Sequence, residues 1–144
     1  MAQASGTVLL INFNADERES YRQTLVAARF DVIVCVDPLD AVRVAVARRP
    51  DALVTRVLQP HCSIDGIELT RRVKADPRTA GVRVIITMSL KESHQRTEAL
   101  DAGCDECLLL PSSSQDVVEA VCRAITVDHV DIDGPPDSGC VTLR

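Results

Sequence analysis

Six residues decide most of what this chain can fold into: the run Ala52-Leu-Val-Thr-Arg-Val57, set between Pro50-Asp51 and a loop that holds Pro60 and ends at Asp65-Gly66. So short an apolar run, bounded by turn residues with helical patterns on both sides, is what a strand buried on both faces of a parallel sheet looks like. Helices must then cover both faces of that sheet. One residue does not fit the pattern, because Arg56 puts a guanidinium at the strand's carboxyl end.

The rest of the chain repeats that unit. Thr7 to Ile11 reads as a first buried strand, after which Asn12-Phe13-Asn14 leads to Asp16 as the cap of a helix. That helix, from about Glu17 to Arg29, has Tyr21, Leu25 and Ala28 on one stripe. Val32 to Val36 is the second strand. Asp37-Pro38 then opens a second helix as cap and first-turn proline, with Leu39, Val42 and Val46 as its buried face. A third helix carries Ile67, Leu69 and Val73 and ends near Asp76-Pro77, since the residue before a proline disfavours helical backbone. Val82 to Thr87 is the fourth strand, and Glu92 to Ala102 is a fourth helix that stops at Gly103. Cys107 to Leu110 makes the fifth strand, followed by Pro111. Gln115 to Ile125 completes the series with Val117, Val118, Val121 and Ile125 inward.

Five strands alternating with five helices imply an α/β fold, a doubly wound five-stranded parallel sheet in three layers. The expected strand order is 2-1-3-4-5, as in flavodoxin-like folds. The domain is expected over residues 1–127. Residues 128–144 turn towards Pro, Gly and Asp and are expected to form a flexible C-terminal tail.

Composition then narrows the function. A chain of 144 residues is one domain able to bury a real core, and with no tryptophan that core must be aliphatic. A net charge of −5 argues against nucleic-acid binding, which needs clustered Lys and Arg. Neither an apolar run of membrane length nor a charged-then-apolar leader is visible, so no membrane contact and a cytoplasmic location are expected. The six cysteines (Cys35, Cys62, Cys104, Cys107, Cys122, Cys140) are then expected to be reduced. Cys104-Asp-Glu-Cys107 has the spacing of a redox pair, and His61-Cys62 would add metal ligands. Against this, Cys104 lacks the helix N-terminus that lowers a thiol pKa, and no second pair completes a zinc site. Structural thiols are the expectation and no metal site is assigned. His61, His94 and His129 are scattered along the chain, so no catalytic set is legible and no enzyme is expected.

A Pro-Asp pair, an apolar strand, one polar residue, three more residues, a proline and then Asp65-Gly66 resemble the CheY-like receiver domain of bacterial response regulators, over roughly residues 7–127. Ala102-Gly103 and Leu110-Pro111 keep the family's spacing. The resemblance implies a role in two-component phosphorelay signalling by contact with a histidine kinase, another regulator or an output domain, and it allows a homodimer. It places the partner surface on the fourth helix, fifth strand and fifth helix, where Lys91, Glu92, His94, Gln95, Arg96 and Glu98 form a mixed-charge face.

The family's phosphorylation pocket is erased residue by residue. Its metal-holding acid pair falls on Asn12 and Phe13, and its phosphoryl-accepting aspartate on Arg56. The hydroxyl residue falls on Met88, with Thr87 expected to face the other way by strand alternation. The lysine falls on Leu110 and the aromatic switch residue on Cys107. Neither phosphoryl acceptance nor Mg²⁺ binding is therefore expected, and no cofactor. The loop from Pro60 to Asp65 is slightly longer than the family's. Arg56 is read either as pairing with Asp16 or Asp65, or as lying with its stem on apolar surface and its head in water or over Phe13. Two alternatives stay open: a small anionic ligand held by Asn14, Arg56, His61 and Ser89, or a redox sensor built on Cys104 and Cys107.

Overall fold

A computed structural model of the chain describes residues 6–110 and 113–133, with backbone alone from 127 onward. Five strands, β1 (Gly6–Ile11), β2 (Phe30–Cys35), β3 (Ala52–Arg56), β4 (Arg83–Met88) and β5 (Glu106–Leu109), form one parallel sheet in the order β2-β1-β3-β4-β5. The helices between and after them are α1 (Ala15–Ala27), α2 (Pro38–Arg48), α3 (Gly66–Ala75), α4 (Arg96–Ala102) and α5 (Ser114–Asp133). This is the doubly wound fold, with the strand order, that the alternating pattern predicts.

Strand alternation sorts the apolar residues into two cores. Leu9, Ile11, Leu53, Val57, Val84, Ile86 and Met88 face one side, against Ala41 and Ala45 of α2, Ile67, Leu69 and Val73 of α3 and Ala99 of α4. Val8, Leu10, Val54 and Ile85 face the other, against Tyr21 and Leu25 of α1 and Val117, Val118 and Val121 of α5. Each such leucine or isoleucine contributes about 2 kcal/mol by leaving water.

Several elements differ from the expectation. The cap of α1 is Asn14, whose side chain accepts the Glu17 N–H at 3.0 Å, so the helix opens before Asp16. Helix α2 buries Pro38, Ala41 and Ala45, whereas Leu39, Val42 and Val46 are half-buried. Its smallest side chains form the seam, which lets the helix sit close to the sheet. The fourth helix starts as a 3₁₀ turn, Leu90–Gln95, because the Ser89 carbonyl accepts the Glu92 N–H and the Glu92 carboxylate accepts the Ser89 N–H. Helix α5 runs past Ile125 to Asp133, so the backbone of 128–133 is helix rather than tail. The remainder of the expected tail, with Cys140, and Pro111 lie outside the described residues.

Two glycines position the loops that matter below. At Gly66 a Cβ would sit 2.2 Å from the Arg56 carbonyl oxygen, so only glycine lets α3 begin against the end of β3. Gly103 ends α4 at φ +110°. Among the described residues no helix is long and apolar enough to cross a membrane.

Candidate functional site

A cleft of about 650 Å³ opens at the carboxyl ends of the strands, where an α/β sheet of this kind receives its ligands. Asp16, Glu17, Ser20 and Tyr21 of α1 line one wall; Arg56, Ser89, Leu110, Ser113 and Ser114 complete it. Arg56 reaches it because β3 turns Ala52, Val54 and Arg56 towards α1 and α5, while Leu53 and Val57 enter the opposite core.

The Arg56 side chain is only 12% exposed and held from three sides. One terminal nitrogen donates to both Glu17 carboxylate oxygens, at 3.1 and 3.3 Å, and the other lies 3.8 Å from Glu92 Oε1. The guanidinium carbon stands 5.3 Å from the Phe13 ring centroid. The carboxylates that pair with Arg56 are thus Glu17 and Glu92 rather than Asp16 or Asp65. Asp16 is exposed on the cleft rim, and Asp65 caps α3 by accepting the Glu68 N–H at 2.8 Å. Glu92, read from the sequence as part of an exposed mixed-charge face, is buried, whereas Lys91, His94, Arg96 and Glu98 are exposed.

Asn12 supports this arrangement from below. It is 1% exposed; its amide donates to Glu17 Oε1 at 3.1 Å and its side-chain oxygen accepts the Asn14 N–H at 2.8 Å. Both halves of the amide are engaged within the protein. Tyr21, buried against the second core, has its phenol pushed up to about 12, by burial first and by the Glu17 charge second, with Arg56 opposing.

The other candidate positions separate. Ser89 and Leu110 lie on the cleft with Arg56. Asn14 is the helix cap, and Phe13 is 40% exposed over the guanidinium. His61 is exposed at φ +65° in the loop after β3 and does not line the cleft. Met88 is fully buried in the core under α2, α3 and α4. Thr87, expected to face away, is instead the register partner of Arg56 and shares its side of the sheet. Its buried hydroxyl and the Arg56 Nε have no hydrogen-bond partner among the described residues. Cys107 stands in β5, with its sulfur 3.5 Å from that of Cys104.

Sequence reasoning missed Glu17 and Gln59, and it placed Glu92 on an exposed face rather than buried beside Arg56. Glu17 and Glu92 each stand three positions after a residue that caps a helix or 3₁₀ turn, Asn14 and Ser89, and that spacing is the one signal pointing to them. Gln59, 4% exposed, donates to Thr55 Oγ1 at 3.0 Å and to the Ile11 carbonyl at 3.4 Å, tying the loop after β3 to β1.

Residues 8–122 match the response regulator receiver domain. The chain belongs to that family. It is similar to the phosphate regulon transcriptional regulatory protein PhoB of Pseudomonas aeruginosa, with 29% identity over 112 residues, 78% of this chain and 48% of that protein. To the response regulator MprA of Mycobacterium ulcerans it is 26% identical over 137 residues, 94% of this chain and 57% of that protein. The receiver chain therefore spans about half the length of the curated relatives it matches. Among solved structures, the receiver domain of the sensor histidine kinase PA1611 from Pseudomonas aeruginosa, with a magnesium ion coordinated in its active-site cleft, superposes with a TM-score of 0.75 at 24% identity, covering 85% of this chain and 98% of that one. The chemotaxis response regulator CheY4 of Vibrio cholerae gives 0.75 at 19% identity, covering 85% and 99%. At these identities the likeness to the solved receivers is one of fold.

Proposed function

We propose that this receiver domain signals by protein contact alone, without accepting a phosphoryl group and without binding Mg²⁺. One observation carries the reading. Where the family resemblance places the acceptor aspartate, the chain has Arg56, with its guanidinium held by Glu17 and Glu92. A phosphoryl acceptor must be a nucleophile, which a guanidinium is not. A bound Mg²⁺ would need carboxylate oxygens. Asn12 offers only an amide already engaged with Glu17 and Asn14, and the Glu17 carboxylate is turned to Arg56. Leu110 supplies no ammonium at the position given to the lysine.

Receiver domains work in two-component systems by contact with histidine kinases and output domains. For this chain the contact surface is α4, β5 and α5, where Leu100 and Leu109 are each more than two-fifths exposed beside Arg96 and Glu98. The domain acts in the cytoplasm and catalyses no reaction of its own. A small anionic ligand in the cleft is the weaker reading, because Asp16 and Glu17 outnumber the one guanidinium there and that guanidinium is already paired.

The test is a thermal melt with Mg²⁺ and beryllofluoride, joined to intact-mass measurement after incubation with acetyl phosphate. No change in melting temperature and no phosphoryl adduct are expected. A dose-dependent stabilisation, or a single adduct, would show that a working acceptor carboxylate remains and would overturn the reading.

A further inference from the structure

We propose that Cys104 and Cys107 form a reversible intramolecular disulfide when a peroxide reaches the half-buried Cys107 thiol. This concerns a different part of the molecule from the Arg56 cleft, and it stands whichever way the phosphodonor experiment falls.

The geometry comes from the way α4 hands over to β5. Gly103 turns the chain at φ +110°, the Cys104 N–H donates to the Ala99 carbonyl at 3.2 Å, and the Asp105 N–H donates to the Val84 carbonyl at 2.8 Å. The Asp105 carboxylate accepts the Val84 N–H at 2.8 Å and Lys74 Nζ at 3.1 Å. With the intervening backbone tied to β4 and α3, the two sulfurs are held 3.5 Å apart, about 1.5 Å short of a covalent bond. Cys104 is 7% exposed and packs in the core under α4, whereas Cys107 is only half-buried. One thiol is reachable from solvent and the other waits behind it.

The two thiols are also unlike each other chemically. The hydrogen bond from the Cys104 thiol pulls Cys107 down to about 7, aided by Arg96 and opposed by burial. The same hydrogen bond, with burial, pushes Cys104 up. Cys35, Cys62 and Cys122 are pushed up by burial, so Cys107 carries the most thiolate at neutral pH among the described cysteines.

The reaction balances with one peroxide. The Cys107 thiolate attacks a peroxide oxygen, the O–O bond breaks, and the leaving oxygen takes a proton as water or alcohol, leaving a sulfenic acid. That step removes the thiolate that had held the Cys104 proton. Cys104 then releases its proton to solvent as its sulfur attacks Cys107, the S–O bond breaks, and a second water leaves. Two thiols have given up two electrons, and a dithiol reductant returns them. The bond ties the end of α4 to β5, the elements on which the exposed Leu100 and Leu109 lie.

The experiment treats the full-length chain with one equivalent of hydrogen peroxide and follows intact mass, thiol titre and iodoacetamide alkylation against pH. The expected product is a monomer lighter by two hydrogens, with two thiols lost and both restored by dithiothreitol. Cys104→Ser should stop at a sulfenic acid that dimedone captures, and Cys107→Ser should not react at that dose. In the unmodified protein Cys107 should alkylate about tenfold faster than Cys122 at pH 7, with a midpoint near neutrality, a readout that needs no variant to fold. An unchanged mass, the same two-hydrogen loss in Cys107→Ser, or a Cys107 rate no greater than that of Cys122 would overturn the proposal.

Discussion

Arg56 shows how one side chain reorganises a pocket. Its charge is enclosed by Glu17, 31% exposed at the side chain, and by Glu92 at 11%, so the trio is partly withdrawn from water and its members depend on one another. Replacing Arg56 by methionine leaves two carboxylates facing each other around an apolar stem. We expect a loss of about 2–4 kcal/mol in urea unfolding, part of which a second change, Glu92→Gln, should recover. Arg56→Asp should cost more still, because it adds a third carboxylate, and it should gain no phosphoryl adduct from acetyl phosphate, since Asn12 and Leu110 are unchanged. Tyr21 gives the pH dependence at this scale. Its phenol lies near 12 in the folded chain and near 10 unfolded, so its contribution to stability is complete below about pH 10 and lost as pH rises through 12. The loss should reach at most about 2.7 kcal/mol, and Tyr21→Phe should remove it from the alkaline limb of a stability profile.

At the scale of elements, the closest contact is the one between β3 and α3. Gly66→Ala would drive a methyl group to 2.2 Å from a backbone oxygen that cannot yield, so α3 must move off the sheet. A cost of about 1–3 kcal/mol in chemical denaturation is expected, together with altered amide shifts around Arg56 by NMR. The strands and the order of the sheet were legible because β-branched runs bounded by Pro, Gly and Asp have few other readings. The inner face of α2 was not, since Ala41 and Ala45 weigh little in a hydrophobic pattern yet are fully buried against the sheet. The 3₁₀ start of the fourth helix depends on a reciprocal bond between Ser89 and Glu92 that residue type alone does not announce. The site divides in the same way. That Arg56 stands at a strand end could be read directly, but its partner Glu17 lies 39 residues away, and only folding brings the two together. His61 read as a ligand by proximity in sequence, and its left-handed backbone carries it off the cleft.

The described residues form a single sheet with two cores that share its strands, and the cores should unfold together. Leu25 in α1 and Leu69 in α3 are both fully buried, on opposite faces of the sheet. Each leucine-to-alanine change should cost about 2–5 kcal/mol, and the pair should add to within about 0.5 kcal/mol in one cooperative transition by differential scanning calorimetry. The fixed charge at the end of β3 has a consequence for timing. A group attached after synthesis can be added and removed, and its lifetime sets how long a message lasts. A guanidinium encoded in the chain is part of the sequence and has no lifetime of its own. On the proposed reading of this domain, a partner that reads the Arg56 pocket registers how many copies of the protein are present, with no record of when they were last addressed.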